Sequence, residues 1–374
     1  MSQRRTQVAV IATAAAFGLT YGLSAPLIAL ELAGRGFSGT VIGVNAAMHA
    51  VGVLLIAPVL PHVVARAGLA RPARVSLLAA AILLALFPLL PALGLWFLLR
   101  ILLGMSAESL FVLSESWLSE SADEASRPKV MGIYVAAMSG GIALGPTILA
   151  GTGRDGALPF LIGAALALAA LLILVLSHPD EPQADQAREA GLLACFRRAP
   201  LPVAAAGLNA AVEAAGLALL PLYAMALGWS EAGGTLLLSV LLIGAILLQA
   251  PIGWLGTRID RGRLTVWLAV LSGLGALAWP MAFAHPWLAW PLVFVWGGAF
   301  VGIYTLALTE VGARFRGADL AGVFAAMSVA WGLGALAGPL LGGLAVGLLR
   351  HGLPLLTAAL CLAFALAHAA RRRS

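Results

Sequence analysis

The chain has 374 residues, 61% hydrophobic and only 10% charged, with a formal net charge of +6. Soluble domains carry about 25% charged residues, and a single soluble core of this length cannot bury so much apolar surface. The composition therefore excludes an ordinary soluble domain and points to a chain solvated by a bilayer.

A membrane-crossing helix needs roughly 20 mostly apolar residues. In chain order such spans are predicted at 8–30, 39–60, 74–92, 94–118, 129–152 and 157–177. The first follows Arg4 and Arg5 and is too long for the apolar region of a signal peptide, so it reads as an uncleaved span. Only Pro91 and Gly94 separate the third span from the fourth. A polar stretch from His178 to Arg198 follows and reads as a cytoplasmic linker. The second set of spans is predicted at 200–226, 233–255, 264–284, 286–309, 319–347 and 352–370. The chain is thus expected to be all-α, with an N-terminal six-helix bundle (1–178), a linker (179–199) and a C-terminal six-helix bundle (200–374). Cys195 and Cys361 make neither a disulfide framework nor a metal site, and no cofactor is expected.

Alternating these spans from a cytoplasmic N-terminus puts 18 of the 22 basic residues on the cytoplasmic side. Arg35, Arg154 and Arg350 fall outside, and Arg100 lies within the fourth span. Lys and Arg accumulate in cytoplasmic loops, so both termini are expected in the cytoplasm. Such scattered clusters read as membrane topology and not as a nucleic-acid surface.

The two halves repeat. Ala57-Pro58 and Ala250-Pro251 are 193 residues apart, and so are Gly145-Pro146 and Gly338-Pro339. Each Ala-Pro pair lies near the end of a half's second span and each Gly-Pro pair in its fifth. Parallel repeats of this kind are a transporter design, in which the solute site lies near the midplane between the halves.

Gly132, Gly141 and Gly145-Pro146 lie in the fifth span, and Gly334, Gly338-Pro339 and Gly342-Gly343 echo them in the eleventh. This spacing resembles the antiporter motif of the major facilitator superfamily, although Leu149-Ala150 replace its final glycine pair. The run Pro251-Ile-Gly253-Trp-Leu-Gly-Thr257-Arg258-Ile-Asp260-Arg261-Gly-Arg263 resembles the family's cytoplasmic gating loop. There Thr257 stands where the family has aspartate, and Asp260 is the nearest substitute. Arg100 with Gly104 resembles a motif of proton-coupled exporters, and Glu115-Ser116-Trp117 resembles a bacterial branch, the YcaD-like proteins. The resemblance implies twelve helices in two pseudo-symmetric bundles and transport by alternating access. It also implies a cavity lined by the first, fourth, seventh and tenth spans.

Ionisable groups at membrane depth cost about 2.5–3.5 kcal/mol each on insertion scales. Arg100, Glu108 and Glu213 lie deepest, with Glu115 and Glu310 nearer span ends. These charges sit on spans 4, 7 and 10, which the resemblance assigns to the cavity. Glu108 and Glu115 fall within about 20° on one helix face, whereas Arg100 is about 80° from Glu108 and two turns away. A carboxyl withdrawn from water can take up and release protons, so Glu108 and Glu213, with Arg100, are the proton-coupling candidates; the structural alternative is an ion pair with Arg100. Tyr21, Ser24, Asn45, His49, Asn209, Tyr304 and Thr305, with Thr20, are candidates for a polar cavity lining.

The six histidines are dispersed and no helix carries an acidic run, which argues against a membrane-embedded enzyme. A non-transporting sensor is the other rival class. The reading is therefore a transporter in the inner membrane, expected to act as a monomer. It is expected to export a small solute in a proton-coupled, antiporter-type step; uptake is the alternative direction. With Arg100 as the one deep cation, a neutral, zwitterionic or cationic amphipathic solute is expected.

Overall fold

The structure is a computed structural model that describes residues 2–90, 92–121, 127–177, 197–315 and 317–371. Most of the predicted linker, including Arg188 and Cys195, lies outside these residues, as do Arg316, Arg372 and Arg373. The described residues form helices and short turns, without a strand. The first half comprises α1 (Ser2–Gly34), α2 (Gly39–Ile56), α3 (Leu60–Ala67), α4 (Ala70–Leu86), α5 (Leu93–Ser121), α6 (Arg127–Thr152) and α7 (Leu158–Leu176). The second comprises α8 (Pro200–Ala226), α9 (Glu231–Leu247), α10 (Gln249–Arg258), α11 (Arg261–Ala282), α12 (Pro286–Arg314), α13 (Gly317–Leu348) and α14 (Gly352–Arg371).

Among the described residues, eleven helical stretches are long and apolar enough to cross a membrane, with α9 and α10 counting as one. The apolar α4, at 17 residues, makes the twelfth. The twelve predicted spans are therefore present, and prolines account for most of the shifted boundaries. Proline has no N–H for the helical ladder and its ring crowds the carbonyl four residues back. The span predicted at 39–60 accordingly stops at Ile56, before Pro58, and α3 restarts at Leu60 as a short helix with His62 and Arg66 exposed. The span predicted at 74–92 begins earlier, at Ala70, and stops at Leu86, ahead of Pro88. The span predicted at 233–255 breaks at Leu248; Leu247, the last residue of α9, is the residue four before Pro251.

The chain forms two compact units, Met1–Arg35 with Met48–Gln186, and Gly36–Ala47 with Ala187–Ser374. In the first, α1 packs on α6, α5 and α7, and α4 packs on α5 and α7. Its core gathers Leu77, Leu110, Trp117 and Tyr134, all buried. In the second, α8 packs on α13, α9 on α12, and α11 on α12 and α14. The opening turns of α2 belong to this unit because Gly39 and Gly43 leave room for the α13 backbone at Gly343 and Pro339.

Lipid removes the hydrophobic drive between helices, so contact depends on how closely backbones approach. A methyl group on Gly145 would meet the backbone of Gly22, and one on Gly141 the backbone of Ala15 and Leu19. In the second unit Gly334 meets Gly207 in the same way, and Gly338 meets Ala211. Gly104 admits the α2 backbone at His49, and Gly297, again 193 residues on, admits the α9 backbone at Leu241. Gly132, grouped with Gly141 and Gly145 by spacing, instead has nothing within 4 Å. Pro146 and Pro339 both lie inside continuous helices, α6 and α13.

Candidate functional site

In the first unit the deep charge is Arg100, carried on α5 and 2% exposed. Its Nη1 donates to Ser24 Oγ of α1 at 3.2 Å. Its Nε is buried without a partner, and among the described residues it forms no ion pair. The ion pair with Arg100 given as the structural alternative is therefore not formed among the described residues. Glu108, eight residues on along α5, is a rise of about 12 Å away.

Two rings, Tyr21 of α1 and His49 of α2, lie near this arginine. The His49 ring lies 5.1 Å from the Tyr21 ring, and His49 Nδ1 is buried with no hydrogen-bond partner. Tyr21 and Phe17 stack at 6.3 Å, and Phe17 meets Phe111 at 5.5 Å. Thr20 is buried beside them in sequence. Glu108 is half-buried and makes neither a hydrogen bond nor an ion pair among the described residues. Glu115 is exposed near the end of α5, and the neighbouring Ser114 meets the Tyr134 hydroxyl at 3.2 Å.

In the second unit the deep acid is Glu213 on α8. It is half-buried, and Asn209 Nδ2 donates to its Oε2 at 3.2 Å from one turn earlier. Asn209 Oδ1 is buried without a partner, as are both amide atoms of Asn45. Thr305 on α12 is held rather than free: its hydroxyl donates to Gln249 Oε1 at 2.5 Å and to Val301 O at 3.3 Å. Gln249 in turn donates through Nε2 to Ala245 O at 2.6 Å and to Gly298 O at 3.4 Å. Sequence reasoning passed over Gln249, although an amide beside the Ala-Pro break was a visible signal. Tyr304 packs against Trp331 at 5.3 Å, and Glu310 pairs with Arg314 one turn on at 3.2 Å.

Several contacts of the loop motif are local. Asp260 Oδ1 accepts from Arg263 N at 2.8 Å and so caps α11. Arg258 lies 4.2 Å over the Trp254 ring, Arg261 Nε donates to Gly256 O at 3.4 Å, and Gly253 has open space. Thr257 turns its hydroxyl back to Trp254 O at 2.7 Å. No cluster of three or more metal-ligating side chains occurs among the described residues.

Comparison with known proteins identifies the fold. Residues 10–244 match the family model of the Major Facilitator Superfamily. The chain is 26% identical over 347 residues to the uncharacterized MFS-type transporter YfkF of Bacillus subtilis, covering 87% of this chain and 85% of that protein. It is also 26% identical over 251 residues to the uncharacterized MFS-type transporter YcaD of Escherichia coli, covering 65% and 63%. Among solved structures it superposes on the nucleoside transporter NupG with a TM-score of 0.82 at 15% identity, over 99% of each chain. A bacterial homolog of the human lysosomal transporter Spinster matches with a TM-score of 0.78 at 13% identity, over 100% of this chain and 97% of that one. Twelve apolar helices, the repeated glycine contacts and these matches agree: the chain belongs to the major facilitator superfamily, a multi-pass family of membrane transporters and not of enzymes.

Proposed function

We propose that the chain exports a small amphipathic solute from the cytoplasm of a bacterium in exchange for protons, with both termini and the linker on the cytoplasmic side of the inner membrane. The observation that carries this reading is Glu213. It is a half-buried carboxyl on a membrane-crossing helix whose hydrogen bond comes from a neutral amide, Asn209. A neutral donor suits either protonation state, whereas a cation would hold the group ionised. Glu108, without a bonded partner, is the second proton carrier. The 18-to-3 distribution of basic residues supports the orientation. The antiporter-like glycines Gly141 and Gly145, seated on α1, support export. The solved relatives include a nucleoside transporter, but at 15% identity that likeness carries the fold and not the solute.

The test begins with a thermal-shift screen of the purified protein across amphipathic metabolites and drugs. A stabilising solute is then added to everted membrane vesicles holding a pH gradient. The wild type should dissipate the gradient on addition, and Glu213→Gln should not. Solute movement with no proton movement, or equal dissipation by wild type, Glu213→Gln and Glu108→Gln, rejects the proposal.

A further inference from the structure

We infer that Arg100, together with Ser24, Tyr21 and His49, receives the carboxylate of a small solute whose remaining body is apolar or aromatic. The inference rests on the transport reading above and narrows its substrate class. Of the small amphipathic solutes proposed there, it selects those that carry one carboxylate.

A guanidinium does not lose its charge in a protein, and a buried charge is costly unless it is paired and hydrogen-bonded. Arg100 is 2% exposed, yet its hydrogen bond goes to a neutral hydroxyl and its Nε is unsatisfied. Among the described residues, the helices of its own unit offer no counter-ion. On α1 the sole acid is Glu31, which is engaged by Arg35 at 3.0 Å. On α2 there is none. On α5 the nearest is Glu108, about 12 Å along the axis and without an ion pair. The segments α4, α6 and α7 contain no acid. The negative charge that Arg100 needs is therefore not supplied by these helices.

The surroundings define what supplies it. The guanidinium fork matches a carboxylate with two parallel hydrogen bonds, and the unpartnered Nδ1 of His49 and the Ser24 hydroxyl add polar contacts nearby. One cation suits one negative charge, which disfavours multivalent anions. Beyond the head group, Tyr21, Phe17 and Phe111 form a run of rings 5.5–6.3 Å apart, against which an apolar or aromatic body stacks.

The experiment titrates purified full-length protein with benzoate, benzamide and benzylamine, one ring bearing an anionic, neutral or cationic head, and with sulfate. Benzoate is expected to raise Tm and to bind at least about tenfold more tightly than the other three. Arg100→Gln is expected to unfold cooperatively but to lose the benzoate shift. Arg100→Lys keeps the charge without the fork and is expected to bind benzoate about tenfold more weakly, which decides the matter if the glutamine variant does not fold. Equal shifts from benzoate and benzamide in the wild type overturn the inference, as does a sulfate shift matching benzoate, or undiminished benzoate binding in a folded Arg100 variant. The same titration on Glu213→Gln separates this inference from the coupling proposal. Retained benzoate selectivity in a variant that no longer moves protons supports both. Retained selectivity in a variant whose proton movement is unchanged supports the carboxylate site while rejecting the coupling role of Glu213.

Discussion

Asn209 donates to Glu213 across a single turn of α8, at 3.2 Å, and its own carbonyl oxygen is left buried and unpartnered. Replacing Glu213 with glutamine keeps an oxygen acceptor for that amide, so Glu213→Gln should fold normally. Asn209→Ala, by contrast, removes the donor from a half-buried carboxyl. A double-mutant cycle over the two sites should return a coupling of about 0.5–1.5 kcal/mol in thermal or denaturant unfolding. A value indistinguishable from zero would mean that the bond is not formed in the native ensemble.

Two glycines of one motif should respond in opposite ways. Gly145→Ala puts a methyl into the Gly22 backbone and should lower stability by about 1–3 kcal/mol, with a lower Tm in detergent. Gly132→Ala has open space and a helical backbone, so it should be neutral or stabilising by up to about 1 kcal/mol. Similar losses in both would contradict the packing described for α1 and α6.

Asp260 provides a test of charge against geometry. Asp260→Asn keeps a side-chain oxygen to accept from Arg263 N, while Asp260→Ala removes the cap at a cost of about 1 kcal/mol. If capping is its whole contribution, the asparagine variant should match wild type in both Tm and transport. A transport defect in Asp260→Asn with unchanged Tm would instead assign a role to the negative charge, as the resemblance of the loop implied.

Reporter fusions test the orientation. Fusions after Ser374 and near Asp185 should both read as cytoplasmic, as the basic-residue asymmetry requires. A periplasmic signal at either point would remove the basis for assigning export from the cytoplasmic side.

The spans were legible because lipid demands long apolar runs, and the run from Pro200 to Ala226 follows Arg197 and Arg198 and ends just before Gly228, whose φ is 95°. The breaks at Pro58, Pro88 and Pro251 were less so. Hydrophobicity runs on through Pro58 and Pro88, where only the missing N–H marks the stop, and at Pro251 a single amide, Gln249, adds to it. At the candidate site, hydropathy could locate Arg100, Glu108 and Glu213 at depth but not their partners. Partnership depends on helix rotation, which the apolar pattern of a lipid-facing helix leaves open. That is why the Arg100–Ser24 bond and the Gln249–Thr305 tether emerged only from the structure.

The glycine seams also bear on how such a molecule moves. At Gly22–Gly145 on α1 and α6, and at Gly207–Gly334 on α8 and α13, the helices touch through main-chain atoms. At those points there is no side chain to swing or repack. Close contact of this kind couples a displacement of α1 to α6, and Ser24, which α1 carries against Arg100, lies two residues from the Gly22 contact. Adding a single carbon to the seam would therefore do more than loosen a contact. It would press two touching backbones apart and shift Ser24, and with it the hydrogen bond that Arg100 makes to α1.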